Sequence, residues 1–142
     1  MSHGGPAPES LHPVPDDVLA ELERVRAHAH APYSRFQVAA LIETEDGRRH
    51  VGCNVESSHY KSLCAEAAAL AAMVSAGQRR FVRVWILTDE PDCPPCGDCR
   101  QRLYEFGGPD AQVMLVDAAR RIARCWSVAQ LLPTAFTFQP PD

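Results

Sequence analysis

Residues 81–107, FVRVWILTDEPDCPPCGDCRQRLYEFG, decide the architecture of this chain. Phe81–Thr88 form a short apolar run rich in β-branched residues, which is typical of a buried strand. Residues 91–95 include three prolines and are predicted to form a loop. A short helix is then predicted from Gly97 to Phe106, because the glycine pair at 107–108 is a usual helix stop. The stretch therefore predicts a strand, a stiff loop and a helix in succession.

Working outward, the rest of the chain alternates helices and strands in the same way. A helix is predicted to begin at Asp16 and to end near Ala31, because Pro32 follows. Asp46-Gly47 between two apolar runs predicts a hairpin. The other predicted elements are strands over 36–44, 50–55 and 112–116, helices over 64–76 and 126–132, and an extended segment over 135–138. This order predicts a three-layer α/β fold, in which a mixed sheet of about five strands has helices on both faces.

The ends of the chain differ in composition. Residues 1–15 contain two glycines and four prolines and are predicted to be a flexible tail. Residues 16–142 match the size of one ordinary domain and are predicted to form a single domain.

Composition narrows the class of partner. The formal net charge is −4, whereas a nucleic-acid binder normally carries a basic face, so we expect a small-molecule substrate and no nucleic-acid partner. No apolar run approaches the roughly 20 residues that span a membrane, and the N-terminus lacks a signal-peptide pattern. We therefore expect a cytoplasmic protein without a membrane partner, in which the six cysteines stay reduced.

Two short motifs carry the chemistry. Cys64-Ala65-Glu66 opens one predicted helix, and Pro95-Cys96-Gly97-Asp98-Cys99 leads into another. A helix N-terminus favours the thiolate form, which binds metal. Three thiolates suit Zn²⁺ and leave its fourth position open for water, as in catalytic zinc sites. Glu66 stands two residues beyond Cys64, where a carboxylate that is not a ligand can pass a proton from water to a substrate, as zinc deaminases require.

Two other interpretations of these cysteines stay open at the level of sequence. Cys93 precedes Cys96 by three residues, so Cys64, Cys93, Cys96 and Cys99 are also compatible with a closed, structural four-thiolate zinc module. Pro94 and Pro95 stiffen the segment and argue against it. Cys96-Gly97-Asp98-Cys99 also has the spacing of a redox pair, although that function would leave Cys64 and Glu66 unused.

Taken together, these motifs resemble the short, homotetrameric class of zinc-dependent cytidine deaminases. The resemblance covers roughly residues 32–136. Its matching segments are 32–38 (PYSRFQV), 52–56 (GCNVE), 64–66 (CAE), 95–101 (PCGDCRQ), 105–106 (EF) and 131–133 (LLP). Each segment is weak alone, but their order and spacing are specific. The resemblance implies hydrolytic deamination of cytidine or deoxycytidine in pyrimidine salvage, with a modified cytosine or another aminopyrimidine nucleoside as the alternative substrate.

The resemblance also implies individual roles. Cys64, Cys96 and Cys99 match the zinc ligands, and Glu66 matches the proton shuttle. The implied substrate contacts are the ribose-binding Asn54 and Glu56, the base-packing Phe36, and Tyr60 and Phe136, through which neighbouring subunits complete each other's pockets.

Four positions depart from the family pattern. Many relatives carry an arginine directly after Cys-Ala-Glu, which offsets the charge of the ligand sulfurs, but this chain has Ala67. Ser57, Ala39 and His59 replace an asparagine, a glycine and a small polar residue. These three changes are expected near the pocket, where they would bear on the choice of substrate.

Overall fold

The computed structural model describes residues 7–8 and 10–141. Strands and helices alternate along the chain after an initial strand. The elements are β1 (Ser10–Pro13), α1 (Asp16–Arg26), β2 (Val38–Glu43), β3 (Arg49–Cys53), α2 (Ala65–Ser75), β4 (Arg83–Thr88), α3 (Gly97–Gly107), β5 (Gln112–Asp117), β6 (Ile122–Ser127) and α4 (Val128–Leu131). None of these helices is both long enough and apolar enough to cross a bilayer.

The strands form one mixed sheet in the order β1-β6-β5-β4-β2-β3. β4 and β5 pair in parallel, and every other neighbouring pair in this sheet is antiparallel. The prediction of a mixed sheet is confirmed, with six strands where about five were expected. Because α3 connects the two parallel strands, it returns across one face of the sheet.

Helices cover both faces, as predicted. On one face, side chains such as Ile42, Ile86 and Leu115 pack against α2, α3 and α4. On the other, their strand neighbours Leu41 and Leu87 pack against α1. The alternation follows from the two-residue period of a strand, which sends successive side chains to opposite faces.

Gly52 allows α2 to lie unusually close to the sheet. A Cβ atom at this position of β3 would stand 2.4 Å from the backbone nitrogen of Ala69 and 2.7 Å from the carbonyl oxygen of Ala65. Glycine in a strand often marks such an approach of another backbone. Contact with β3 therefore fixes the first turn of α2, which carries Glu66.

The predicted tail is wrong over Ser10–Pro13. These residues form β1 and pair antiparallel with β6, while Val14 is 5% exposed and its amide donates to the carbonyl of Arg121 at 3.1 Å. The strand depends on the free edge of β6, a tertiary feature that local composition does not encode. Residues 1–6 and Glu9 of the predicted tail lie outside the described residues.

The predicted helix over 126–132 is confirmed as α4 over Val128–Leu131, but its first two residues belong to a strand, β6, that was not predicted. Trp126 belongs to β6, and α4 begins only at Val128 with Ser127 as its N-cap. The β5–β6 turn at 118–121 contains no glycine, proline or asparagine, and the one turn-forming residue beside it is Asp117, whose Oδ1 accepts from the amide of Arg120 at 3.2 Å. Arg121 supplies the turn's left-handed conformation, with φ of 56°. α1 also ends earlier than predicted, at Arg26.

Candidate active site

Two helix N-termini bring the predicted ligand cysteines together. Cys64 is the N-cap residue of α2 and Cys96 is the N-cap residue of α3, both in extended conformation. Cys99 lies in the first turn of α3 and is 1% exposed. The three Sγ atoms all lie within 4.8 Å of one another. We call Cys64, Cys96 and Cys99 the thiol cluster.

Arg100 fixes the loop that leads into α3. Its Nε donates to the carbonyl of Pro95 at 2.7 Å, and its Nη1 donates to the carbonyl of Leu131 at 2.7 Å. The guanidinium thus ties the residue before Cys96 to the end of α4. Since Cys96 follows directly, these bonds also determine where its sulfur lies.

Glu66 lies beside the thiol cluster, as its motif predicted. Its side chain belongs to the first turn of α2 and is buried, with an exposed fraction of 5%. The Cys99 thiol donates to Glu66 Oε2 at 3.2 Å. A carboxylate buried against a thiol cluster is positioned to exchange protons with a group held there.

The pKa values of two cluster thiols shift in opposite directions. The hydrogen-bonding contact with Cys99 is the main cause that lowers the pKa of Cys64 to about 7. The same contact, followed by burial and the negative charge of Glu66, raises the pKa of Cys99.

Cys93 is not a member of the thiol cluster. It is half-buried and lines the same cavity, but its sulfur is absent from the described group of three that converge within 4.8 Å. Burial is the main cause that raises the pKa of the Cys93 thiol, which disfavours its thiolate. The geometry favours an open three-thiolate site over the closed four-thiolate module.

A cavity of about 230 Å³ adjoins the thiol cluster. It lies between the β2 and β3 side of the sheet and the starts of α2 and α3. Its lining residues are Phe36, Val38, Asn54, Glu56, Ser62, Leu63, Cys64, Ala65, Glu66, Thr88, Cys93, Pro94, Cys96 and Cys99. Three of the predicted substrate contacts, Phe36, Asn54 and Glu56, therefore line the same cavity as Glu66.

The side chain of Asn54 holds the segment before β2 in place. Its Oδ1 accepts from the amide of Val38 at 2.9 Å, and its Nδ2 donates to the carbonyl of Phe36 at 2.7 Å. These bonds fix the backbone on both sides of Gln37 and so position the ring of Phe36. Because an amide side chain has further hydrogen-bonding capacity, Asn54 retains one donor and one lone pair for a ligand.

Glu56 is fixed by the backbone of the neighbouring loop. Its Oε1 accepts from the amides of Tyr33 and Ser34 at 3.0 and 3.1 Å. Hydrogen bonding from Ser34 is the first cause that lowers the pKa of the Glu56 carboxyl. The carboxylate is thus held ionised at one end of the cavity.

Tyr60 and Phe136 do not line the cavity within this chain. The Tyr60 side chain is 96% exposed and that of Phe136 is 71% exposed. The carbonyl of Phe136 accepts from Gln101 Nε2 at 3.0 Å, so its backbone lies against α3. Both side chains point away from the protein and can contribute to a pocket only through another molecule.

The thiol cluster fits a zinc ion. Tetrahedral coordination at about 2.3 Å from each sulfur requires sulfurs roughly 3.8 Å apart, which the observed spacing of under 4.8 Å approaches. A soft, all-sulfur donor set selects zinc over magnesium or calcium. Three donors would leave one position of a four-coordinate zinc ion open, as in catalytic zinc sites.

Comparison with known proteins agrees with this geometry. The family model for the zinc-binding region of cytidine and deoxycytidylate deaminases matches residues 15–116. The chain belongs to the cytidine and deoxycytidylate deaminase family. The match includes the whole thiol cluster and Glu66, and the family's zinc requirement accords with the three-sulfur donor set.

Individual deaminases resemble the chain over most of their length. A cytidine deaminase of Sporosarcina psychrophila is 39% identical over 124 residues, which are 86% of this chain and 90% of that protein. One from Mycobacterium tuberculosis is 41% identical over 112 residues, covering 78% and 80%. A crystal structure of cytidine deaminase from Burkholderia pseudomallei matches with a TM-score of 0.79 and 37% identity, covering 87% of this chain and 100% of that one.

Sequence reasoning missed part of the deaminase cavity. Thr88, Leu63 and Ser62 line the cavity without having been singled out. Thr88 could have been predicted to lie at the site, since it ends the predicted strand that precedes the Cys96 loop. Ala39, Ser57 and His59, expected near the pocket, do not line it: Ala39 is buried on the α1 face, and the Ser57 hydroxyl donates to the carbonyl of Lys61 at 3.4 Å.

Proposed function

We propose that this protein hydrolyses cytidine or deoxycytidine to uridine or deoxyuridine and releases ammonia. The observation that carries the proposal is the contact between Glu66 and the thiol cluster, at the end of a cavity that also holds Phe36 and Glu56. In zinc deaminases, the family to which its relatives belong, three zinc ligands and a nearby glutamate activate water for attack on the base. Water adds to the pyrimidine carbon that bears the amine, and the carbon–nitrogen bond then breaks.

Cys64, Cys96 and Cys99 would hold the zinc ion. When bound, the metal supplies Lewis-acid activation of the attacking water. Binding would require each cysteine to lose its proton, so Cys99 would no longer donate to Glu66 in the loaded site. The carboxylate of Glu66 would then be available to the reacting groups.

Glu66 would act as the proton shuttle. Its carboxylate oxygen takes a proton from the attacking water and delivers it to the adjacent ring nitrogen. It then carries the second proton to the departing amine, which leaves as ammonia. The burial of Glu66 suits this role because it excludes bulk water that would compete for the protons.

The remaining cavity residues would bind the nucleoside. Phe36 would pack against the pyrimidine, held in place by Asn54. The carboxylate of Glu56 accepts hydrogen bonds from two loop amides through one oxygen and has lone pairs left for sugar hydroxyls. None of the positions that depart from the family pattern is among the cavity-lining residues of this chain. These departures therefore do not favour a modified nucleoside over cytidine.

We also infer a homotetramer, acting in pyrimidine salvage in the cytoplasm. Single exposed apolar side chains are common, but this protein exposes several large ones. Tyr33, Val55, Tyr60, Leu63, Phe136 and Phe138 are each between 41% and 96% exposed. A surface of this kind supports association, since partners would cover it. Tyr60 and Phe136 would then reach neighbouring pockets, and light scattering on the purified protein measures the subunit number directly.

The function is tested by ammonia release from cytidine and deoxycytidine, measured together with zinc content. The parent protein is compared with Glu66→Gln and with Cys93→Ser as the matched control. We expect the parent and Cys93→Ser to hold one zinc per chain and to turn over. Glu66→Gln should hold the same zinc and lose turnover by a factor of at least about 100, the range for a lost acid–base group.

Two outcomes would contradict the proposal. A parent protein that holds zinc, deaminates neither nucleoside and loses the metal in Cys93→Ser would instead have a closed structural site. A Glu66→Gln variant that retains full turnover would assign the proton transfers to another group.

A further inference from the structure

A loaded zinc site would have a net negative charge. Three thiolates around Zn²⁺ would sum to −1, and the carboxylate of Glu66, on the first turn of α2, contacts the cluster at Cys99. The residue after Glu66 is Ala67, which is 7% exposed and carries no charge. The two helix N-termini supply partial positive charge only. A full positive charge near both helix starts would therefore stabilise the loaded site.

Arg102 is placed to supply that charge. It follows Cys99 by three residues on α3, so the two side chains lie on the same side of the helix. An ion pair with Asp98, four residues earlier, directs the guanidinium back toward the N-terminal turn. That turn begins at Cys96, and more than half of the Arg102 side chain is covered, since 42% is exposed.

The neighbouring arginine on α3 has a different role. Arg100 donates to the carbonyls of Pro95 and Leu131, so its guanidinium is directed toward the preceding loop and α4. Arg102 donates instead to the carboxylate of Asp98, on the helix turn that also holds Cys99. The two arginines thus separate into one that shapes the loop and one that faces the charged turn.

The electrostatic effect of Arg102 reaches across to α2. Its positive charge is among the causes that lower the pKa of Cys64, after the hydrogen bonds within the thiol cluster. In return, the cysteines Cys99 and Cys64 add to the effect of Asp98 in raising the pKa of Arg102. The influence therefore covers cysteines on both helices that form the site.

We infer that Arg102 balances the negative charge of the thiol cluster and takes over, from α3, the role that an arginine after Cys-Ala-Glu has on α2 in many relatives. It is a positioning residue that acts through the ligand sulfurs and does not touch the substrate. The inference rests on the proposed zinc site.

The test measures the zinc dissociation constant by competition with a chromophoric chelator. It compares the parent protein with Arg102→Gln, which keeps the length and loses the charge, and with Arg102→Lys, which keeps the charge. Arg24→Gln is the matched control, because Arg24 also makes an ion pair within a helix, with Glu21 on α1. Zinc binding requires the three cysteines to lose their protons, so loading the site creates the net negative charge that Arg102 opposes.

We expect Arg102→Gln to bind zinc about tenfold more weakly than the parent, the lower end of the range for residues that support metal ligands. Arg102→Lys should stay within about threefold of the parent, and Arg24→Gln should match it. Roughly 1 M salt should shrink the difference between Arg102→Gln and the parent, because the Debye length is then about 3 Å. A structural role would not depend on salt in this way.

Other outcomes overturn the inference. Equal zinc affinity in Arg102→Gln and the parent would show that the charge is not used. An equal loss in Arg102→Lys and Arg102→Gln that persists at high salt would assign Arg102 a packing role. If the parent binds zinc and deaminates cytidine, either result contradicts this inference and leaves the proposed function standing. A parent protein that binds no zinc would contradict the proposed function as well.

Discussion

Replacing Gly52 by alanine should displace the first turn of α2 and with it the active site. The added Cβ would lie 2.4 Å from the nitrogen of Ala69 and 2.7 Å from both the carbonyl oxygen of Ala65 and the Cβ of Ala68. Ordinary van der Waals contact begins at 3.4 Å, so the helix and the strand must separate by about 1 Å. Two of the three contacted atoms are backbone, so a change of rotamer cannot relieve the conflict.

The expected cost follows from that displacement. Overpacking by one methyl group typically destabilises a protein by about 1–3 kcal/mol, which for a chain of this size lowers the melting temperature by roughly 3–10 °C. The same shift moves Cys64 and Glu66 relative to Cys96 and Cys99. A misplacement of about 1 Å at a catalytic group can cost on the order of a hundredfold in rate.

Thermal unfolding and steady-state ammonia release measure the two effects. Ala71→Ser is the matched control, since it adds one heavy atom to the exposed side of the same helix and should change the free energy of unfolding by less than about 0.5 kcal/mol. We expect Gly52→Ala to melt lower and to lose far more turnover than its stability loss explains at the assay temperature. A Gly52→Ala variant with the melting temperature and turnover of the parent would refute the close packing of β3 on α2.

Two further predictions concern the loop before Cys96 and the sheet edge. Arg100→Met removes the hydrogen bonds to the Pro95 and Leu131 carbonyls. It should lower the free energy of unfolding by about 2–4 kcal/mol, measured by denaturant unfolding, and weaken zinc binding several-fold, measured by chelator competition. Unchanged zinc affinity would mean that the position of Cys96 does not depend on Arg100. Removal of residues 1–13 uncovers the edge of β6 and should lower the melting temperature and promote association between sheet edges, seen by calorimetry and size-exclusion chromatography. A truncated protein as stable and monodisperse as the full chain would show that β1 contributes nothing to the sheet.

Local patterns predicted the central part of the fold well. The strands at β2, β4 and β5 and the helices α2 and α3 lie within a few residues of their predicted positions, because a glycine or proline close to at least one end marks each of them. β1 and β6 escaped prediction for a shared reason. β1 has no core-facing pattern of its own, the turn before β6 lacks glycine and proline, and the two strands pair with each other only when the sheet has formed.

Part of the candidate site could be predicted from the sequence and part could not. Cys64, Cys96, Cys99 and Glu66 could be identified from sequence because zinc chemistry demands particular donor atoms near helix starts, and short motifs encode those positions. The roles given to Tyr60 and Phe136 stay predictions, since both side chains face outward from a single chain. No sequence motif pointed to Arg102. Its proximity to the thiol cluster depends on its ion pair with Asp98 and on the packing of α3 beside α2.

The sequence by itself determined which atoms are available for chemistry: the sulfurs of four cysteines, the carboxylate of Glu66 and the two helices that present them. The tertiary structure alone decided that three of the sulfurs lie within 4.8 Å, that Cys93 stays outside the group, and that Asn54 holds Phe36 against the cavity. The physical reason is distance along the chain. Residues three or four apart are placed by helix geometry, whereas Cys64 and Cys96 meet only because β3, β4 and Gly52 bring their helices to the same edge of the sheet.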